Sequence, residues 1–572
     1  MNEQLLEPVK FYENTGKQLH HDNANDFFEE LLKKSHVNEE ENRETVKKYN
    51  TEQAKANEIN KKLRRHKTAK VLLIILAVFG GIVALYGILV LCSGIVTGGA
   101  IAAALGAIAL VASILVIKKK IGPLIKHVGE LLEKQQAIAT ALLEEAKAQV
   151  APLNALFTES DSLRLIEKTV PDLAFDPRFT RDNENFFIKK HDYLDLSDES
   201  SSVLNTLSGR LAGNPFLFCN RMIQEMGTYT YHGTLTISWT ETYRDSKGNI
   251  QTRRRTQTLH ASLTKPKPYY KKSTQLCFGC QAAPDLSFSR DPQDTEELNE
   301  KQLERKVKRG AKELKKRTDQ AIKEGKSFQE MANTEFEVLF GALNRDHEVQ
   351  FRLLFTPLAQ RNMVELVTDK DAYGDDFYFT KRRRFNIIRT EHSETWDFDS
   401  SPAHYYSHDV GEIRRKFITF NEEFFKILYF NFAPLLSIPA YVEEPCAALD
   451  PPEEYDCNYT YYEHELMANS IGRHRFAHEN AATESILKVG KARKRNAIDV
   501  VPVTAYAFRG ENRLDFVPVF GGDGKMHPVP VHWIEYIPVR KTTEMEVCVK
   551  DGEQNENMQD TCYHSMVARI LE

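Results

Sequence analysis

The feature that most constrains this chain is an uninterrupted apolar segment near its N-terminus. From Val71 to Ile117 there are 47 consecutive residues without Asp, Glu, Lys, Arg, His, Asn or Gln. A helix needs about 20 apolar residues to cross a bilayer, and 47 residues in one helix would extend for about 70 Å. The segment is long enough for two crossings and too long for one. We predict two transmembrane helices within 69–117, at about 71–92 and 99–117.

Both ends of the apolar segment are flanked by basic residues. Six Lys or Arg residues lie within 61–70, and four Lys residues lie within 118–126. Lys and Arg next to a span tend to stay in the cytoplasm. We therefore expect a two-span protein of the cell membrane with both termini cytoplasmic. The segment begins too late and is too long for a cleaved signal peptide.

Small residues recur every four positions through the expected turn and the second helix, at Gly94, Gly98, Ala102 and Gly106. Such a ridge lets a neighbouring helix approach closely. We expect it to pack against the first helix of the same chain, which carries Gly80 and Ala84. Association of several copies through the ridge is the alternative, and a pore is disfavoured because neither helix carries a charged, Asn or Gln residue.

Charged, helix-favouring segments lie on either side of the hairpin. Residues 24–68 carry a weak apolar seam with coiled-coil spacing, and residues 118–157 carry a stronger stripe. These patterns predict an antiparallel helical stalk that extends both spans into the cytoplasm. A loose solvated helix over 24–68 is the alternative. Residues 1–23 are expected to form an N-terminal tail.

The remainder of the chain has the composition of a water-soluble protein. The 572 residues predict two to four structural units. The net charge of −5 gives no overall basic field, so nucleic acid is not an expected partner. Eight cysteines are scattered along the chain, which suits a reducing compartment.

After residue 158 the pattern predicts an α+β cytoplasmic domain over 158–442. Residues 228–264 alternate apolar and polar side chains around a turn signal, which predicts a β-hairpin. We expect Pro266 and Pro268 to close it. Residues 296–332 predict a helix with many charges, which we expect to be solvated rather than to lie on a membrane.

The C-terminal region, residues 443–572, is expected to end in a small antiparallel β unit. Valines alternate between Val501 and Val531, with turns expected at 509–512 and 521–525. The fold class is therefore an α+β soluble region attached to an all-α transmembrane helical hairpin with a helical stalk.

Three stretches of the soluble region carry a family resemblance. Residues 265–270 (KPKPYY), 283–290 (APDLSFSR) and 353–360 (LLFTPLAQ) resemble those of uncharacterised bacterial membrane proteins with an N-terminal transmembrane hairpin and a large cytoplasmic α+β region. The resemblance extends over much of residues 70–440. It implies a bacterial plasma membrane setting, and it implies no activity, cofactor or catalytic residue.

The most metal-like spacing is His474 with His478. Histidines four apart on a helix share a face and can reach one ion, with His464 or Glu465 as a third ligand. The order matches neither H-E-x-x-H nor H-x-x-E-H, and with 18 histidines such a pair arises easily by chance. We therefore assign no metal, no cofactor and no catalytic residue.

Two other motifs are interpreted structurally. Cys277 and Cys280 form a lone C-x-x-C without the second pair that a zinc site needs. The basic clusters 381–384 and 491–495 lack the interleaved aromatic residues of a nucleic-acid platform. We expect structural thiols and surface charge, respectively.

The sequence thus favours a non-enzymatic, membrane-anchored scaffold that contacts the lipid bilayer and binds a protein partner or further copies of itself. A membrane-tethered metal-dependent hydrolase using His474 and His478 is one alternative. A Gly- and Ala-rich hairpin that oligomerises in the membrane is the other.

Overall fold

The computed structural model describes residues 6–92, 96–176, 198–244, 248–325, 328–396, 398–443, 459–496, 498–549 and 566–570. It is a mixed structure of helices and antiparallel sheets. The chain divides into a helical unit, residues 24–158 and 401–421, and a sheet unit, residues 1–23, 159–400 and 422–572. This division differs from the predicted boundary at 442. The sheet unit contains the C-terminal region, and residues 401–421 belong to the helical unit.

The described α-helices, in chain order, are α1 (Pro8–Phe11), α2 (Lys17–Ser35), α3 (Glu39–Cys92), α4 (Val96–Val116), α5 (Gly122–Asn154), α6 (Asp161–Thr169), α7 (Glu300–Glu324), α8 (Thr334–Phe340), α9 (Glu348–Leu354), α10 (Pro357–Thr368), α11 (Val410–Leu436), α12 (Pro439–Glu443) and α13 (Tyr461–Ile471). Single π-helical turns, Tyr12–Gly16 and Ile117–Ile121, join α1 to α2 and α4 to α5.

The described strands are β1 (Leu173–Phe175), β2 (Ser201–Leu211), β3 (Asn214–Arg244), β4 (Ile250–Gly279), β5 (Ser287–Arg290), β6 (Phe377–Arg382), β7 (Phe385–Thr390), β8 (Ile486–Val489), β9 (Arg493–Arg495), β10 (Ile498–Phe520), β11 (Met526–Val549) and β12 (Met566–Ile570).

The central element of the helical unit is α3, which carries charged residues and the first apolar span in one helix of 54 residues. The Asn38 side chain caps it by accepting a bond from the Glu41 N–H at 3.2 Å. The predicted single helix over 24–68 is divided in the structure. The chain leaves α2 after Ser35, and His36 has a left-handed φ of 54° that a continuous helix does not allow.

The stalk forms where α3 packs against α5. Ala56, Leu63 and Leu132 are buried together, with Ile59, Ile125 and Val128 beside them. Near its base, the buried Asn42 amide donates to Gln149 Oε1 at 3.2 Å and to the His408 carbonyl at 3.1 Å. A buried amide that is paired in this way fixes the relative position of the segments that it joins.

Two helices, Glu39–Cys92 and Ala100–Asn154, are long and apolar enough to cross a membrane, the second running through the π-helical turn. Only 11% of the most apolar window of each helix is buried within the protein. Large apolar side chains therefore point outward, among them Phe79, Leu89 and Ile108. A soluble core helix would bury them, because exposing so many costs free energy for each apolar side chain left in water.

The predicted ridge packs within the hairpin at Gly106. A Cβ at this position would lie 2.6 Å from the Gly80 carbonyl oxygen and would overlap the backbone of Ala84. The two helices approach too closely here for any larger residue. Of the other ridge positions, Ala102 is half-buried in α4, Gly98 lies in α4, and Gly94 lies outside the described residues.

The sheet unit contains two antiparallel sheets. The first has seven strands in the order β1-β2-β3-β4-β7-β6-β5. The second has the order β12-β11-β10-β8, with β9 also paired to β10. In the second sheet Val501, Val503 and Val547 pack with Met467 and Ala468 of α13.

Aromatic packing forms much of the core of the first sheet. Rings from β5, α8, α9 and β6 contact one another in a single cluster that consists of Phe288, Phe336, Phe340, Phe351, Phe355 and Phe379. Each such ring buries a large apolar area, so the cluster fixes these elements against each other. The predicted charged helix 296–332 is shorter, as α7, because Asn299 caps its start in a capping box and Gly325 ends it at φ 68°.

The predicted β-hairpin 228–264 is much longer in the structure. Its strands β3 and β4 have 31 and 30 residues, and pairing continues through Pro266 and Pro268. The turn expected at 509–512 is absent, because β10 runs on through these residues in continuous pairing with β11. The C-terminal β unit is therefore built on two strands of 23 and 24 residues.

Candidate interaction surface

Four strand segments extend beyond the rest of the two sheets. In these segments β3, β4, β10 and β11 no longer pair with the shorter strands β2, β7, β8 and β12, respectively. The segments comprise residues 224–244 of β3, 250–275 of β4, 507–520 of β10 and 526–544 of β11. We call this projection the arm. At about 3.3 Å per residue, its longest paired segment extends for about 70 Å.

The alternating direction of the backbone N–H groups along β3 and β4 explains why these strands tolerate proline. The Gln224 N–H donates to the Ser200 carbonyl at 2.7 Å, on the side away from β4. Because direction alternates along a strand, the N–H groups of even-numbered β3 residues, and of the β4 residues opposite them, point out of the ladder. Pro266 and Pro268 lie opposite Thr228 and Met226, so neither removes a ladder bond.

The arm has two layers, because the β3–β4 ribbon packs face to face on the β10–β11 ribbon. Four fully or nearly buried side chains form the centre, namely Leu259, Ala261, Val529 and Val531. Further apolar residues pack around them, namely Tyr231, Leu235, Ile237, Leu263, Val517 and Val519. The interior of the arm is therefore apolar, as in a small β-sandwich.

One position brings the layers together unusually closely. A Cβ on Gly233 would overlap the carbonyl group of Pro530 and would lie 2.9 Å from a methyl group of Val531. Only glycine lets the two backbones approach to this distance. The packing of the arm thus depends on the residue at position 233.

Polar contacts join the layers at the margin of the apolar centre. Lys265 binds Asp515 at 3.0 Å and lies 4.1 Å from the centre of the Trp533 ring. The hydrogen bond from Lys265 lowers the pKa of Asp515. At the tip, the Gly522 N–H donates to Gln257 Oε1 at 2.7 Å. These contacts fix the register of one ribbon on the other.

The outer face of the β3–β4 ribbon is covered by hydroxyl groups. Thr230 pairs with Thr264, and Thr236 pairs with Thr258, with hydroxyl oxygens 3.0 and 3.3 Å apart. The exposed positions between and around these pairs are also mostly small and polar: Thr228, His232, Thr234, Ser238, Thr240, Thr242, Thr252, Thr256, His260 and Ser262. This face is well suited to water and gives a partner little apolar surface.

The outer face of the β10–β11 ribbon is apolar near its tip. Phe516, Phe520 and Met526 are exposed by 60%, 66% and 57%. They belong to four cross-strand pairs that cover this face, Leu514 with His532, Phe516 with Pro530, Pro518 with Pro528, and Phe520 with Met526. None of these eight side chains carries a fixed charge. We call this surface the apolar face of the arm.

The structure does not place His474 and His478 on one helix. His474 lies in a single 3₁₀ turn, Arg473–Arg475, and is exposed, whereas His478 lies in the following turn and accepts a bond from the Asn480 N–H at 3.1 Å. The shared helical face on which the metal hypothesis depended is therefore absent.

The two residues considered as a third ligand are buried in α13 and have other partners. His464 binds Asp499 at 3.1 Å. Glu465 accepts bonds from the Val203 N–H at 2.6 Å and from Lys488 at 3.4 Å. Burial raises the pKa of Glu465, whereas Lys488 and the hydrogen bond from the Val203 N–H lower it and offset part of this increase. Both side chains hold α13 against the strands.

Among the described residues, the ligand-type side chains that do come together are Glu13, Asp369 and Asp371, a partly exposed acidic group. Cys277, in β4, and Cys280, just after its end, are buried cysteines that form no disulfide. In the cluster 381–384, Lys381 is buried rather than on the surface. Its ammonium group donates to the Ala282 carbonyl at 3.0 Å, and burial lowers its pKa to about 8.

The apolar face was missed from the sequence, although a signal was present. From Leu514 to Phe520 large apolar residues occupy alternate positions on both faces, as Phe516 and Phe520 flank Val517 and Val519. Such a strand is expected to be covered on both sides. No described element covers the outer one.

No family model, curated protein or solved structure matches this chain in the comparisons made.

Proposed function

We propose that this chain is a membrane-anchored scaffold protein. The hairpin of α3 and α4 crosses the bilayer twice, both termini lie in the cytoplasm, and the apolar face of the arm binds a partner protein. The basic residues within 61–70 and 118–126 support this orientation, because they flank both outer ends of the apolar segment.

The single observation that carries the binding role is the exposed apolar face. Phe516, Phe520 and Met526 lie side by side with Leu514 and three prolines on the two-layered arm. Soluble proteins rarely expose such a contiguous apolar patch without using it. Exposed aromatic residues on a rigid element are typical of the centre of protein interfaces.

The absence of charge favours a protein over an anionic lipid surface as the occupant. Side chains that lie on a membrane surface usually combine apolar residues with Lys or Arg at their margins. The four cross-strand pairs of this face include neither, and in the adjoining turn 521–525 the single cation Lys525 is accompanied by the carboxylate of Asp523. Pro518, Pro528 and Pro530 also remove backbone donors from the strand edges, so a partner would contact this face through side chains.

A photo-crosslinking amino acid placed at Phe520 tests this role in native membranes. We expect a distinct protein adduct from position 520 and none from position 258, which lies on the hydroxyl-covered face of the same arm. The double variant Phe516→Ser/Phe520→Ser should weaken partner binding about thirty-fold or more, because truncation of a central aromatic residue costs about 2 kcal/mol or more.

The matched control is Tyr243→Ser, which removes another exposed aromatic ring of the arm from outside the apolar face. Its binding should equal that of the unchanged chain. An adduct with lipid alone, with a second copy of this chain alone, or with the same protein from both positions would contradict the proposal.

A further inference from the structure

The arm has four open strand edges, and three of them carry features that prevent pairing with another chain. The edge of β4 has Pro266 and Pro268, and the edge of β11 has Pro528, Pro530 and Pro538. The edge of β10 has Pro518 and four charged residues between Arg509 and Asp515. Proline and charge are the usual means by which proteins protect an exposed edge.

The edge of β3 has no such protection. Residues 228–240 contain no Pro, Asp, Glu, Lys or Arg over 13 consecutive positions, and they are rich in Thr, Tyr, Ile and Trp. These residue types favour strands. The N–H groups of the even-numbered residues point outward, and beyond Gln224 no strand within the described residues pairs with this edge. An open edge of this composition is a template for adding a strand.

We propose that β3 pairs antiparallel with β3 of a second copy of this chain, joining two arms edge to edge. This pairing does not require membrane anchoring, and it gives the arm a second role besides partner binding by the apolar face. It leaves that face free, because the new pairing uses the edge of the other ribbon.

The geometry of the strand favours a second copy as the occupant. A two-fold axis that passes between the two copies of one residue places that residue opposite its own copy. Even-numbered residues of one copy then oppose even-numbered residues of the other. With the axis at Leu235, Thr234 opposes Thr236 of the second copy, and Thr230 opposes Thr240 of the second copy. Hydroxyl-bearing residues then meet on one face, where His232 also opposes Ser238, and mostly apolar residues meet on the other. Both kinds of cross-strand pair are favourable.

Charge also permits self-pairing. Identical strands repel when like charges meet, and residues 228–240 bring none together. With the same axis, Glu241, the first carboxylate beyond this segment, opposes Tyr229 of the second copy rather than another carboxylate. The edge is therefore complementary to itself in both backbone and side chains.

The test uses the full chain in detergent, with its mass measured by light scattering over a concentration series. We expect a dimer for the unchanged chain and at least a ten-fold weaker dimer for Thr234→Pro/Thr236→Pro. Proline at these outward positions leaves the β3–β4 ladder intact, as Pro266 and Pro268 do on the opposite strand. The matched control, Thr256→Pro/Thr258→Pro, places the same change on the edge of β4 and should remain dimeric.

A second measurement does not depend on how well the proline variants fold. Thr234→Cys/Thr236→Cys should give a disulfide-linked dimer on mild oxidation, whereas Thr256→Cys/Thr258→Cys should not. A monomeric unchanged chain, equal effects of the two proline variants, or equal cross-linking of the two cysteine variants would overturn the inference. Adduct formation from position 520 should persist in Thr234→Pro/Thr236→Pro, so failure of this pairing and failure of partner binding are distinguishable.

Discussion

Asp375→Ala is expected to lower the free energy of local unfolding around β5 and β6 by about 3–5 kcal/mol, because it leaves a buried cation without its partner. The side chains of Arg290 and Asp375 form an ion pair and are both fully buried. Asp375 also accepts bonds from the Thr295 hydroxyl at 2.6 Å and the Gln293 N–H at 3.0 Å. One carboxylate thus neutralises Arg290 and holds the chain that follows β5.

Asp375 is the largest electrostatic partner of Arg290, and Asp291 and Asp376 contribute less. The Asp291 carbonyl also accepts a bond from the guanidinium at 3.2 Å. This guanidinium lies 4.1 Å from the centre of the Phe377 ring and 5.5 Å from that of Phe340. Burial lowers the pKa of Arg290, whereas Asp375 raises it, so the partner offsets the cost of a charge in an apolar site.

Native-state hydrogen exchange of the β5 and β6 amides measures the effect. We expect exchange to be about 10²- to 4 × 10³-fold faster in Asp375→Ala, since each 1.4 kcal/mol corresponds to a factor of ten. Asp371→Ala removes an exposed carboxylate of the same loop and should change exchange by less than a factor of about three. A ten-fold or smaller change in Asp375→Ala would mean that the pair contributes little.

Gly233→Val is expected to force the two layers of the arm apart. Its side chain would occupy the space of the Pro530 carbonyl group. Overpacking of an apolar interior usually costs about 1–3 kcal/mol, and backbone atoms relax less easily than side chains. Proteolysis within the arm should become faster, and both the adduct from position 520 and edge pairing should weaken.

Thr234→Val is the control for this change. It adds a β-branched apolar residue at the next position of the same strand, but on the outer face, where there is space. Proteolysis should proceed at the rate of the unchanged chain. Equal protection of the arm in Gly233→Val and the unchanged chain would show that the layers do not depend on the close approach at Gly233.

The apolar segment and the mixed α+β composition could be predicted from the sequence because each rests on a strong local signal. The 47 residues from Val71 to Ile117 cannot form an aqueous core element of ordinary length, and the structure contains two long, exposed apolar helices there. Alternation from Thr228 onward likewise identified a strand pair. Membrane insertion itself, and the side on which the termini lie, stay predictions.

The extent of the arm could not be predicted, since it depends on contacts between distant parts of the chain. Proline normally ends a strand. That the backbone nitrogen of Pro266 points out of the ladder could be known only from the register of β3 against β4. The glycine and charges within 509–512 resemble a turn, yet pairing with β11 and packing on the other ribbon keep them extended. Tertiary contacts override local propensity at both places.

The candidate sites also could not be predicted from local sequence patterns, because they depend on tertiary structure. His474 and His478 have a helical spacing, but their helix does not form, so spacing alone gave the wrong geometry. Phe516 and Phe520 are apolar in sequence, which normally indicates burial. Their exposure follows from the inward position of Val517 and Val519, and only the packing of the two ribbons reveals which face is covered.

Alkaline carbonate extraction of membranes from cells that make the full chain measures whether the α3–α4 hairpin is inserted into the bilayer. We expect the chain to stay in the membrane pellet after carbonate treatment and to be released only by detergent, because about 20 apolar residues per span hold it in lipid independently of charge. Recovery of the intact chain in the carbonate supernatant without detergent would show that the hairpin is not inserted.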